Sequence, residues 1–183
     1  MILIIDCTRQ DIPLLTAEFA RPLQTIIQTA EFETSIQPLK TNSLPGNTKG
    51  IIISGTALLD QQFLQTGLPS CLEKWDGPLL GICAGMQLLA LKSGGMLTHG
   101  EKIGMTDVTV VSEDPLFSGN TLFSAWELHQ SEVRIPDSLQ VLARSSTTVQ
   151  AFRLKNKPRY GTLFHPEVRN EWIIHNFLQM CNR

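Results

Sequence analysis

An α/β fold with an open, doubly wound mixed sheet is predicted by three observations. Short, almost wholly apolar runs at residues 2–5, 50–53 and 78–82 lack the alternation of half-buried strands and suit strands covered on both faces. Between the first two, Ile12, Leu15, Phe19, Leu23, Ile26 and Ile27 recur at helical spacing, giving a β-α-β rhythm. The second half changes to alternating or shorter runs, which adds antiparallel strands to a parallel core with helices on both faces.

Taken in order, residues 2–5 form the first strand and residues 11–30 the first helix, with Asp11 as its N-cap and Pro22 marking a kink or break. Residues 50–53 and 78–82 follow as parallel strands. After Cys83 a helix carries Leu88, Leu89 and Leu91 on its apolar face and ends at Gly94-Gly95. Residues 107–111 alternate, residues 139–143 are a short apolar run, and residues 149–154 and 160–164 flank the turn-like KNKP. Asn170 or Glu171 opens a final helix containing Trp172, Ile173, Phe177 and Leu178.

Composition narrows the function. A chain of 183 residues, 42% hydrophobic, is expected to form one compact domain spanning residues 1–183. Fifteen Lys and Arg against 17 Asp and Glu leave a formal charge of −2, so there is no basic excess to recruit nucleic acid. No apolar run is long enough to cross a membrane, and MILIID lacks the basic flank of a signal peptide. Cys7, Cys71, Cys83 and Cys181 are widely scattered, without metal-site spacing. A reduced, cytoplasmic setting with no metal and no cofactor in this chain is therefore expected.

The motif that carries chemistry is Gly81-Ile82-Cys83-Ala84-Gly85, a cysteine between glycines where a buried strand meets a helix. Glycines two positions either side let strand and helix backbones approach closely around a strained nucleophile. The helix start favours negative charge on the sulfur, and its free N–H groups, notably that of Ala84, suit an oxyanion. The bland reading is a small buried core cysteine; the glycine spacing and both flanking elements weigh against it.

A thiolate nucleophile needs a base and a group to orient it. His175 lies in the terminal helix pattern and reads as packing or capping, and His99 reads as a solvated loop histidine; His129 is a further candidate. His165 runs off a short apolar strand into His165-Pro166-Glu167, where proline fixes the backbone so that Glu167 can hold the ring in one tautomer. His-Pro-Glu alone reads equally as an ordinary loop. Only the fold can bring His165 to Cys83.

GICAGMQLL followed by GTLFHPEV resembles the class I glutamine amidotransferases, whose Cys-His-Glu triad hydrolyses the glutamine amide, and the resemblance spans essentially the whole chain. It implies that family's flavodoxin-like fold, Cys83 as nucleophile, His165 as general base and acid, and Glu167 as orienter. It implies further that Ala84 and Gly55 supply oxyanion N–H groups, and that Gln87 contacts the substrate glutamine. Trp126-Glu127-Leu128-His129 is similar to a family Trp-x-Ser-His segment whose backbone binds the amino-acid end of glutamine, which puts Leu128 and His129 in the substrate site. Within the family the likeness is to the separate glutaminase subunit of archaeal-type GMP synthase, through MILIID, HGEKIG, SEDPLFSG, LQVLARS and FHPEV in order. This implies delivery of ammonia to a separate ATP-dependent synthetase subunit that carries ATP and Mg, with XMP as acceptor.

The sequence departs from the family at several points. Thr56 and Ala57 stand where Ser-Gly-Gly-Pro has glycine and proline, Leu128 replaces serine, Gln130-Ser131 replaces a residue followed by aspartate, and Met86 replaces histidine. Asp6-Cys7-Thr8-Arg9 likewise replaces Asp-Asn-Gly-Gly. A threonine where the glycine needed unusual backbone angles would strain the loop, so weak activity in isolation is expected. These departures leave open an amidotransferase for another acceptor, a γ-glutamyl hydrolase, and a non-catalytic regulatory module.

Overall fold

The computed structural model describes residues 1–182. In chain order the elements are β1 (Ile2–Asp6), α1 (Pro13–Phe19), α2 (Arg21–Thr29), β2 (Thr34–Pro38), β3 (Gly50–Ile53), α3 (Gln62–Thr66), α4 (Ser70–Glu73) and β4 (Leu79–Ile82). They continue with α5 (Ala84–Lys92), β5 (Met96–Val110), β6 (Leu122–Arg134), β7 (Leu139–Arg144), β8 (Val149–Leu154), β9 (Arg159–Thr162), α6 (Pro166–Arg169) and α7 (Glu171–Met180). The strands join in one mixed sheet of order β2-β1-β3-β4-β9-β8-β7-β5-β6. Pairing is parallel from β2 to β9 and antiparallel from β9 to β6.

The apolar runs divide their side chains between two cores because successive residues of a strand face opposite sides of the sheet. Ile2, Ile4, Ile52, Leu80 and Ile82 pack with Leu23, Ile26 and Ile27 of α2 and with Ile173, Phe177 and Leu178 of α7. Leu3, Ile5, Ile51, Ile53 and Leu79 pack on the other face with Phe63 of α3, Leu72 of α4, and Met86, Leu88 and Leu89 of α5. Helices therefore cover both faces of the parallel part.

Several expectations are corrected. The helix over residues 11–30 is two, α1 and α2, meeting at Ala20. Pro22 lies in the first turn of α2; deeper in a continuous helix its ring would meet the carbonyl of Glu18 and remove a hydrogen bond. Asp11 caps nothing: the N-cap position of α1 is Ile12, and the Asp11 carboxylate pairs with Arg9 at 2.6 Å. The run at residues 160–164 supplies β9, which is the last parallel strand beside β4 as well as the antiparallel partner of β8. A strand buried on both faces has the same composition in either direction, so its sense is not written in its residues.

His99 lies in β5 opposite Ser131, exposed but not in a loop. Leu91 is exposed, whereas the residues from Ala84 to Ala90 are all buried. That burial follows from the contacts of α5, which lies against β4 and β9 and also touches β3, β5 and β6. The strands β2 and β6 and the short helices α3, α4 and α6 went unpredicted. β2 is polar and only half buried, β6 is too mixed to read as a run, and the helices have four or five residues.

The glycines of the elbow are explained by close packing. A Cβ on Gly81 would fall 2.5 Å from the Gly85 carbonyl carbon, and one on Gly85 would fall 2.6 Å from the Ile53 carbonyl oxygen. Backbone cannot yield to a methyl group as a flexible side chain can. Gly85→Ala is therefore expected to destabilise the fold by about 1–3 kcal/mol or more, the range for overpacking, measured as a lowered urea midpoint. A midpoint equal to the parent's would show that α5 can lift from β3 freely.

Candidate active site

The carboxyl ends of the parallel strands form the usual ligand-binding edge of an open α/β sheet. At this edge β4 and β9 are direct neighbours, with Ile82 opposite Thr162. Cys83 follows Ile82, and its amide donates to the Thr162 carbonyl at 2.7 Å. His165 lies three residues past Thr162, and its amide is fixed by the Trp126 carbonyl of β6 at 2.9 Å. Sheet pairing thus closes the gap between two residues far apart in sequence.

Cys83 stands at the N-cap position of α5 with φ 48° and ψ −99°. Positive φ is costly for a residue with a Cβ, by about 1–3 kcal/mol. The strain is held by the Thr162 bond on one side and by the Gln87 amide, which donates to the Cys83 carbonyl at 2.9 Å, on the other. It turns the sulfur out of the strand line toward the Leu128 carbonyl, 3.5 Å away.

His165 is buried, and its Nδ1 lies 2.8 Å from Glu167 Oε1. An ionised carboxylate only accepts, so Nδ1 carries the proton and Nε2 is left for the sulfur. Nε2 has no hydrogen bond of full geometry, yet the Cys83 sulfur lies within interaction range of the ring. Burial disfavours the imidazolium, but the Glu167 charge and the Cys83 sulfur outweigh it, so the His165 pKa stands well above the ordinary histidine value. The ring is boxed by Phe19, whose centroid is 6.0 Å away, and by the backbone of Gly55. A Cβ on Gly55 would come within 2.4 Å of the imidazole.

A pocket opens in front of the sulfur. Thr56, Ala57, Cys83, Ala84, Gln87, Leu128, His129 and Ser131 all line it. Gln87 is buried one helical turn beyond Cys83 and donates Nε2 to the Ser131 carbonyl at 3.1 Å, tying α5 to β6. Gly55 lies at the back against His165, whereas Thr56 and Ala57 reach the pocket wall. The loop strain expected from Thr56 is absent, because neither Gly55 nor Thr56 has positive φ.

Two features were missed in sequence. Phe19, read as a helix-face residue, ends α1 as a wall of the histidine site. His129 contributes more than backbone, for its ring bridges the Gly100 carbonyl at 2.9 Å and Glu127 at 2.7 Å, with Gln150 also donating to Glu127 at 2.9 Å. Burial pushes the Glu127 carboxyl up, but the His129 bond and its neighbours prevail and hold it below the usual glutamate range. The Glu-x-His spacing on one strand face was the available signal; its partners come from β5 and β8. Among the described residues no group of three His, Cys, Asp or Glu side chains is placed to hold a metal ion. No described helix is long and apolar enough to cross a membrane.

A strained cysteine at a helix N-terminus, beside a carboxylate-oriented histidine and open to a pocket, is an arrangement suited to thiol-dependent hydrolysis. The profile of the family described as glutamine amidotransferase class-I matches residues 3–180, and the chain belongs to that family. Two relatives are each named as one subunit of a glutamine-hydrolyzing GMP synthase. The Pyrococcus abyssi protein is 35% identical over 144 residues, 74% of this chain and 77% of its own, and the Methanocaldococcus jannaschii protein is 34% identical over 174, 88% and 89%. A crystal structure from Thermoplasma acidophilum, provisionally assigned as a GMP synthase subunit, superposes with a TM-score of 0.85 at 27% identity, covering 100% of this chain and 94% of its own.

Two outcomes follow from this geometry. Cys83→Gly relieves the positive φ that Cys83→Ala retains, so the glycine variant is expected to be the more stable by about 1 kcal/mol in urea unfolding, against the usual order of the two residues. Glu167→Gln removes the charge that raises the His165 pKa. Since the imidazolium is lost as pH rises through that pKa, the His165 ring signals in an NMR pH titration are expected to titrate at lower pH in the variant than in the parent; an unmoved titration would exclude Glu167 from this role.

Proposed function

We propose that the chain hydrolyses glutamine to glutamate and ammonia. The observation that carries this is the Cys83 sulfur, held out on its elbow beside the oriented His165 and facing the pocket. Cys83, giving its proton to His165, attacks the side-chain amide carbon through its sulfur, and the carbonyl electrons move to the oxygen, facing the Ala84 amide and an amide of the loop after β3. Collapse breaks the C–N bond as His165 delivers a proton to the leaving nitrogen. Water, giving its proton to His165, then cleaves the γ-glutamyl thioester and returns the thiol. Gln87 and the main chain of Leu128 and His129 hold the amino-acid end of the substrate.

The ammonia passes to a separate ATP-dependent synthetase subunit, where ATP and Mg act, and the acceptor is XMP. The names of the relatives, each one subunit of a glutamine-hydrolyzing GMP synthase, support this partner and acceptor.

A glutamine-analogue diazo-ketone is expected to alkylate Cys83, as located by peptide mass spectrometry, and Cys83→Ala to abolish both labelling and ammonia release. Addition of a GMP-synthase-type synthetase with ATP, Mg and XMP is expected to convert released ammonia into GMP. Faster cleavage of γ-glutamyl conjugates than of glutamine would instead make the chain a γ-glutamyl hydrolase, and no labelling even with the synthetase present would make it a non-catalytic module.

A further inference from the structure

The loop after β3 carries its own lock. Residues 54–60 run across the segment that follows β1, and two bonds join them: the Cys7 amide donates to Ser54 Oγ, and the Arg9 amide donates to Asp60 Oδ2, each at 3.0 Å. Asp60 is only 7% exposed, and its carboxylate serves three donors. Besides the Arg9 amide, Oδ2 accepts Thr56 Oγ1 at 2.8 Å, and Oδ1 accepts the Gln62 amide at 3.1 Å. The Asp60 amide closes the turn by donating to the Ala57 carbonyl at 2.9 Å. Bonds to an ionised carboxylate are about twice as strong as neutral ones, so this clasp fixes the loop firmly.

Among the described residues, the amides of Gly55 and Thr56 donate to nothing. Buried donors are normally paired, and an unpaired one is expensive. Here the loop that withholds partners from them is the one whose Thr56 and Ala57 line the pocket with Cys83 and Ala84. The Thr56 hydroxyl is what reaches Asp60. A glycine in its place would offer no such bond, so the threonine exchanges backbone latitude for a side-chain staple.

We infer that Thr56 and Asp60 are positioning residues that hold a loop amide ready for the oxyanion, so that the isolated chain turns glutamine over without waiting for a partner to order the loop. The inference rests on the glutaminase reading above and reverses the expectation of weak activity in isolation.

The test compares the isolated parent chain with Thr56→Ala, Asp60→Ala and Thr56→Ser, reading kcat and KM for ammonia release from glutamine and diazo-ketone labelling of Cys83. The parent is expected to turn over alone at a rate within about threefold of that with a GMP-synthase-type synthetase present. Thr56→Ala and Asp60→Ala are expected to lose about tenfold or more in kcat with KM changed less than about threefold, toward the 10²–10³ loss when an oxyanion donor is removed outright. Thr56→Ser is expected to recover most of the rate, which a purely packing role for the threonine would not allow. A parent labelled at Cys83 that hydrolyses glutamine only with the synthetase present overturns the lock while leaving the glutaminase reading intact, as does a Thr56→Ala variant with parental kcat. A parent that is not labelled at Cys83 in either condition overturns the glutaminase reading and this inference with it.

Discussion

The parallel pairing of β4 with β9 is the constraint on which the site depends. It sets Ile82 beside Thr162, so the residues leaving those strand ends, Cys83 and His165, emerge into the same space. β9 is also where the sheet changes sense, parallel to β4 on one side and antiparallel to β8 on the other. The cysteine therefore comes from the doubly wound half, while the antiparallel half brings β6 across to fix His165 through the Trp126 carbonyl and to wall the pocket with Leu128 and His129.

Close backbone approach is the second requirement. Gly81, Gly85 and Gly161 let α5 settle onto β3, β4 and β9, and Gly55 lets the loop after β3 lie against the imidazole. Neighbouring backbone and side chains thereby close in around the elbow, which holds the positive-φ cysteine in place. The local strain is small beside the packing of two cores that resist its release. Electrostatics completes the arrangement. Glu167, buried against His165, raises the imidazole pKa in a place where burial alone would lower it.

Much of this was legible in the residues because it is local. The runs at residues 2–5, 50–53 and 78–82 became β1, β3 and β4 because apolar residues without alternation need cover on both faces. The elbow glycines marked Cys83 because only a tight strand-to-helix turn has use for them, and Glu167 reaches His165 because one proline lies between. What escaped was short, polar or dependent on a distant partner. β2 buries too little to leave a pattern, and β6 reads as mixed because its neighbours differ along its length. Phe19 became a wall of the histidine site only through the helix break at Ala20. The threonine in the loop after β3 looked like damage because its hydroxyl partner, Asp60, could not be seen.

By itself the sequence determined which residues are apolar at which period, where the backbone must be glycine, and which side chains could carry thiol chemistry; these follow from propensity and spacing within a few residues. The tertiary structure alone decided the direction of β9, the meeting of Cys83 with His165, the box of Phe19 and Gly55 around the imidazole, and the bonds from Asp60 to Thr56 and Arg9. Those depend on strand order and on contacts between segments distant in the chain, and no local pattern encodes which distant strand a given strand will pair with.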